Sequence, residues 1–436
     1  MRLYGCGKAR YLIKRLLALG VVSLVLGAVV RVSTVPRPAI ALAKADPTAP
    51  MGIPGSAPSS EGRPLWVALW TRATPDLTDL SLSLDGRTVA WVDGAGSVRH
   101  LAADTGASLF QTAAMPGVNG VAAAGEGRVL CFSRLNPADT TVRELGPEVW
   151  SPKHMVAHRM DGAIWTVAVD FRGDGAFIGT GQSRLVFLPL APTATAAPAP
   201  LRSPVAPTIQ MQLQGIPDSV DAGARNSNIL IGTWQESGVS AWGNDGAPLW
   251  SHPLARPDRT FDVHLSADGS TAVAVSSRRP RGTDAMIHVW DGHTGRLIWS
   301  ENLEASNGCA LVSAHGETIA VSYERPAPDA NATGTPERKV AVFDRDGHRL
   351  FSDMGGVFLS PRLVAVSPDG GRITVHDDRG YLWILDSRGQ IHSRVPLSLD
   401  LMTSAPPTFL QTITTSDGKY LLVRRGDGQI TLFKSS

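Results

Sequence analysis

Arg278, Arg279 and Arg281, set around Pro280, form the densest run of like charge in the body of the chain. A guanidinium is a planar fork of donors, so such a loop suits a carboxylate or phosphate on a partner; its plainer role is a solubilising hairpin tip. Histidines are the next residues able to do chemistry. His154 and His158 are four apart, the spacing that pairs imidazoles on a helix, but their segment reads as strand and loop and the pair carries little metal meaning. His264, His288 and His293 alternate with apolar positions and read as solvated strand-face residues. No Gly-x-Ser-x-Gly nucleophile turn, Cys-x-x-Cys pair or Cys/His zinc spacing occurs, and no Glu, Asn and Asp set can be assigned to calcium. The sequence therefore offers no catalytic, metal or cofactor-binding residue.

The elements that must carry these residues follow from a repeat of about 48 residues. Acidic-Gly or similar turns fall at Asp85-Gly86, Glu126-Gly127, Asp174-Gly175, Asp268-Gly269, His315-Gly316, Asp369-Gly370 and Asp417-Gly418, with glycine spacings of 41, 48, 94, 47, 54 and 48. The 94 spans two periods, and the missing turn falls near Ala224 to Asn228. Within the clearest unit, Thr260 to Leu265, Thr271 to Ser276, Met286 to Trp290 and Arg296 to Trp299 are four short strands of period-two, half-buried pattern, joined by Asp/Gly turns. Eight such units predict an all-β, eight-bladed β-propeller of four-stranded antiparallel blades. Seven blades is the alternative, because the second and fourth units are the most degraded. The orphan strand Pro64 to Arg72 is expected to complete the last unit, whose own strands stop near Lys434. Two Pro/Ala-rich or polar stretches, Pro189 to Pro207 and Arg325 to Lys339, read as insertions protruding from one rim.

Ahead of the repeats, Arg2, Lys8, Arg10, Lys14 and Arg15 precede an uncharged run from Leu16 to Val30. This predicts a basic cytoplasmic stub (1–15), one hydrophobic helix acting as a membrane anchor or signal (16–35), a Pro/Ala-rich linker (36–63) and the propeller (64–436). The small-x-small site Ala41-Leu42-Ala43 lies well beyond the apolar run, which favours an anchor over a cleaved signal. Cleavage would leave the propeller secreted or periplasmic. The 436 residues carry 41 basic and 39 acidic side chains, too even a balance to argue for nucleic acid. Cys131 and Cys309 fall in units two and six, opposite one another on a ring of eight, so both read as buried apolar fillers and not as a disulfide. Asn331-Ala332-Thr333 is a formal glycosylation acceptor.

Asp291-Gly292-His293-Thr294-Gly295-Arg296-Leu297-Ile298-Trp299 resembles the tryptophan-docking repeat of quinoprotein-type (PQQ-like) eight-bladed propellers, and Val289-Trp290-Asp291 also looks like WD-type repeats. Gly106 with Phe110, Gly246 with Trp250, and Gly347 with Phe351 keep the same Gly-to-aromatic step of four. The resemblance implies that each aromatic packs between neighbouring blades. It does not extend to quinoprotein dehydrogenase chemistry, since the vicinal Cys-Cys pair many of those enzymes carry is absent. The expected function is a non-enzymatic, membrane-tethered extracytoplasmic scaffold binding a protein of the cell envelope. The alternatives are a sensory propeller that binds a ligand in its central funnel or, last, a quinone-dependent oxidoreductase.

Overall fold

A computed structural model describes residues 66–435, apart from a few single or paired loop residues and the stretches 147–154, 170–174, 191–208, 223–227, 235–237, 255–258, 278–282, 327–336, 353–360, 397–408 and 416–418. The hydrophobic segment, the linker, the arginine loop, His154 and the glycosylation acceptor therefore lie outside the described residues. Among the described residues no helix is long and apolar enough to cross a membrane.

Eight four-stranded antiparallel sheets are present, which settles the blade count at eight. Seven are built from consecutive strands, and the degraded second and fourth repeats still yield complete sheets. We number the blades in chain order. Their first strands are Leu77–Leu82, Gly120–Ala123, Ile164–Val169, Ile216–Ala222, Arg259–Leu265, Asn307–Val312, Arg362–Val366 and Phe409–Thr414. These touch the first strands of neighbouring blades all the way round, so they form the innermost wall of the ring. The fourth strands lie outermost. Blade 8 takes its outermost strand from the chain's beginning: Trp66–Ala73 runs antiparallel to Gln429–Ser435, from Trp66 opposite Ser435 to Ala73 opposite Gln429. Two sheet edges that would otherwise be open are thereby closed, as the orphan strand predicts.

The expected half-buried alternation fails in the second strands. Thr271–Ser277 in blade 5 and Gly175–Thr180 in blade 3 are buried at every position. Each sheet is sandwiched between two others, so its middle strands have no solvent face and read as continuous small or β-branched runs. Alternation with exposure survives at the periphery, as in Pro248–Pro253 and Leu297–Asn302.

Strand connections alternate between two faces of the ring. One, the turn face, carries the links from first to second and third to fourth strands; the other, the crossover face, carries the second-to-third links and the passage to the next blade. On the turn face a serine or threonine builds the first-to-second-strand hairpin of five blades. Ser83 Oγ donates to Asp85 Oδ1 (2.6 Å) and accepts from Thr88 N (2.9 Å). Ser266, with Asp268 and Thr271 N, and Ser367, with Asp369 and Arg372 N, repeat it. Ser313 and Thr415 keep the second bond, from Thr318 N and Tyr420 N. The glycine that follows each aspartate takes a positive φ, 69° at Gly86 and 75° at Gly269, which a side chain would resist.

The two insertions do not share a rim. The stretch after Pro189 joins the third and fourth strands of blade 3 and attaches on the turn face, whereas the stretch after Arg325 joins the second and third strands of blade 6 and attaches on the crossover face. An insertion's face is decided by which pair of strands it separates, which composition alone does not reveal.

Candidate functional site

Six of the eight innermost strands carry a bulge near the start of their pairing with the second strand. A bulge re-aims the residue that follows it. In blade 1 that residue is Asp79, whose Oδ2 accepts from Val121 N of blade 2 at 3.1 Å; two positions on, Ser81 Oγ accepts from Ala123 N at 3.0 Å. Blade 4 repeats the device on blade 5, Ser219 Oγ accepting from Val263 N (3.2 Å) and Asp221 Oδ2 from Leu265 N (3.0 Å). Blade 5 repeats it on blade 6 through Asp262 Oδ2 and Ala310 N (3.1 Å). An innermost strand is the edge of its own sheet, so its outward amides need partners, and the preceding blade supplies them.

His264 completes the blade 4 to blade 5 seam. Its Nδ1 is 3.3 Å from Asp221 Oδ2 and its Nε2 is 3.3 Å from Asp262 Oδ2, with all three side chains buried. Neither contact is aligned as a full hydrogen bond, so the attraction is chiefly between charges. Burial alone would drive off the imidazole proton, but the charge of Asp262 and the contact with Asp221 outweigh it and lift the His264 pKa to about 10. Burial likewise opposes ionisation of Asp221, and His264 holds its pKa below the ordinary value. A histidine kept protonated between two carboxylates has no free base to offer near neutrality, so this cluster acts as an ionic clasp across blades. His264 is thus not the solvated strand-face residue its alternation suggested: in a sandwiched sheet both faces are interior. His288 is half-buried, stacked on Trp290 and 3.1 Å from Ser276 Oγ, with burial lowering its pKa to about 4. Only His293, in an exposed turn, is solvated.

The repeat aromatics hold the outer seam. Trp250 in blade 4 donates from Nε1 to Gly292 O of blade 5 (2.9 Å) and lies against Gly295, where a Cβ would stand 2.5 Å from its ring. Trp299 does the same one blade on, donating to Arg345 O (2.9 Å) and covering Gly347; Phe351 covers Gly389 of blade 7. Phe110 is buried against Val118 and Val121 at the contact of blades 1 and 2. The glycine of the docking motif therefore receives the preceding blade's aromatic. Asp291 organises the turn that presents Gly295: Oδ1 accepts from His293 N, Thr294 N and Thr294 Oγ1, while Oδ2 sits 3.3 Å from Arg345 Nη2. Burial works against the Asp291 charge, but the Thr294 bonds prevail and lower its pKa.

Sequence reasoning missed Trp70. It caps blade 1, donating to Ala103 O (2.7 Å) and covering Gly106, yet no glycine stands four residues before it because its strand opens the chain's first repeat. Cys131 is buried, with burial pushing its thiol up to about 12; Cys309 is only half-buried, 3.0 Å from Ser322 Oγ, and is not the apolar filler expected. Neither is in a disulfide. Among the described residues no three His, Cys, Asp or Glu side chains are placed to hold a metal ion.

The arginine loop joins the second and third strands of blade 5, so it is rooted on the crossover face, where Ser277 Oγ donates to Asp284 Oδ1 (3.1 Å) across its base. The arginines themselves are outside the described residues.

Residues 235–400 match the family model described as outer membrane protein assembly factor BamB. No curated protein matches the chain. Among solved structures, BamB from Moraxella catarrhalis overlays with a TM-score of 0.57 at 16% identity, covering 85% of this chain and 99% of that one. The Dos1 propeller gives 0.58 at 10% identity, covering 85% and 95%. Hydrazine synthase from Kuenenia stuttgartiensis gives 0.51 at 14% identity, covering 88% and 99%. At such identities the overlays establish the fold, and they join an assembly factor to an enzyme on one architecture.

Proposed function

Since the chain is a β-propeller of the PQQ-like superfamily, we infer that it is a non-enzymatic scaffold: a propeller tethered outside the cytoplasm by its N-terminal hydrophobic segment, where it binds a protein of the cell envelope. The observation that carries this is the match of residues 235–400, from the outer half of blade 4 through blade 7, to the BamB model, together with near-complete coverage of a BamB structure. The polar chemistry of the described core agrees with it. Asp79, Asp221, Asp262 and His264 are engaged in joining blades, which leaves the rim to do the recognising. The arginine loop Arg278, Arg279 and Arg281 on the crossover face is the proposed contact. A quinone-dependent reaction is disfavoured, although the hydrazine synthase overlay shows that the architecture admits enzymes.

The test is a native mass spectrum of the protein purified from its own membranes in mild detergent. An added protein mass, lost when the three arginines are changed to glutamate, supports the scaffold. A retained quinone, metal or small molecule without a protein overturns it. Protease protection in intact and opened cells checks the location: a propeller cleaved only after the inner membrane is breached refutes the export.

A further inference from the structure

A pocket of about 520 Å³ opens on the crossover face where blade 2 passes to blade 3. Its wall comes from the second-to-third connections of both blades, at Thr140 and Gln182, and from the passage Arg159 to Ala163 between them. Two backbone bonds and one side-chain bond fix this frame: Met160 N donates to Thr140 O (2.9 Å), Gly181 N to Ala163 O (2.9 Å), and the Thr140 Oγ1 hydroxyl to Met160 O (2.8 Å).

The charges around it do not balance. Arg143 is held by Asp139 at 3.1 Å, and Arg134 reaches Asp79 at 3.4 Å. Asp161, in the pocket wall, has both oxygens engaged: Oδ1 accepts from Thr180 Oγ1 (3.1 Å) and Oδ2 from Arg184 Nη1 (2.5 Å). Arg159 differs. It ends the outermost strand of blade 2, exposed in the pocket wall, and among the described residues no carboxylate pairs with it. It sits opposite Thr141, with Ala157 opposite Arg143, so the two arginines share a sheet face, and the carboxylate of Asp139 is already held by Arg143. The uncompensated charge of the pocket is thus a guanidinium whose fork matches a carboxylate. The volume takes a side chain with its flanking backbone and is far too small for a folded partner.

We propose that this pocket, through Arg159, captures the carboxylate of an acidic side chain in an extended segment of the protein partner. The proposal rests on the scaffold reading for the source of that carboxylate, and it supplies a second anchor on the face that bears the arginine loop.

Full-length protein in detergent is titrated with acetyl-Gly-Glu-Gly-amide and acetyl-Gly-Gln-Gly-amide, followed by ligand-observed saturation-transfer NMR. The glutamate peptide is expected to bind about tenfold tighter than the glutamine peptide, a preference that Arg159→Lys reduces and Arg159→Ala abolishes. Arg159 is exposed, so circular dichroism should show unchanged melting in both variants. Equal binding of the two peptides, no binding of either, or an Arg159→Ala variant that keeps the preference overturns the proposal. Inorganic phosphate is the competitor: displacement at concentrations below the peptide's own Kd would make a free anion the occupant and overturn the peptide assignment. If the native spectrum shows no partner while the glutamate preference and its loss in Arg159→Ala persist, the scaffold reading fails and the carboxylate pocket stands.

Discussion

Replacing His264 by alanine should be among the most damaging single changes in the ring. The wild-type side chain is 2% exposed, with carboxylates of two blades 3.3 Å from its two nitrogens. Its pKa rises from 6.5 to about 10; at about 1.4 kcal/mol per unit, the protonated form gains on the order of 5 kcal/mol in the fold. Alanine removes that cation and leaves Asp221 and Asp262 as two buried negative charges facing an empty volume. Breaking a buried ionic group by deleting one partner costs about 3–5 kcal/mol. The remaining backbone bonds to Leu265 N and Ala310 N keep the loss nearer the lower figure. Urea unfolding at pH 7, followed by tryptophan fluorescence, measures it directly. His264→Gln should lose less than alanine, since an amide refills part of the space and donates to one carboxylate. The pH dependence has a fixed sign: a histidine whose pKa is raised on folding stabilises fully below about 6.5, and that stabilisation drains as pH climbs toward 10. A loss under about 1 kcal/mol for His264→Ala, or an imidazole NMR titration with a midpoint near the ordinary value, would refute the clasp.

Gly295→Ala and Gly347→Ala drive a Cβ into Trp250 and Trp299 from backbones at φ 71° and 92°, and should each cost about 3 kcal/mol of unfolding free energy. Gly117→Ala is the control: its φ is 89° but its nearest neighbour is 3.6 Å away, so about 1–2 kcal/mol is expected. His100, His288 and His376 are held neutral, burial pushing their pKa values down to about 4, 4 and 3. Stability should therefore fall as pH drops from about 6.5 toward 4, and substituting His376 by glutamine should flatten that fall in a series of melts. Deleting Trp66 to Ala73 exposes the Gln429–Ser435 edge and uncovers Gly106; cooperative unfolding should vanish, and an unchanged melt would rule out the closure.

What could be read without coordinates was governed by local chemistry. Asp-Gly turns, the step of four from Gly295 to Trp299 and the alternation within Met286–Asp291 are all set within a few residues, and they specify blades and their number. The fate of polar residues depended on neighbours about 42 to 48 positions away. Asp79 and Val121, Asp221 and Leu265, and Asp262 and Ala310 meet only when consecutive blades stack. A serine at the head of four turns is visible as Ser-x-x-Gly at Ser83, Ser266, Ser313 and Ser367, and it explains those turns chemically. Arg159 gave no signal, because its lack of a carboxylate partner among the described residues depends on Asp139 and Asp161 being held by Arg143 and Arg184.

The pairing of Trp66–Ala73 with Gln429–Ser435 sets an order of events during synthesis. The strand that finishes the last blade is the first of the ring to leave the ribosome and waits, unmated, until some 360 further residues have been made. Until then its backbone and the innermost face of every finished blade bordering the gap are open to any extended chain nearby. Completion waits on Gln429–Ser435, so a chain lacking that strand would carry seven complete blades and an unfinished eighth with no seal. Once joined, the two ends occupy one blade, and the other seven present an uninterrupted circumference.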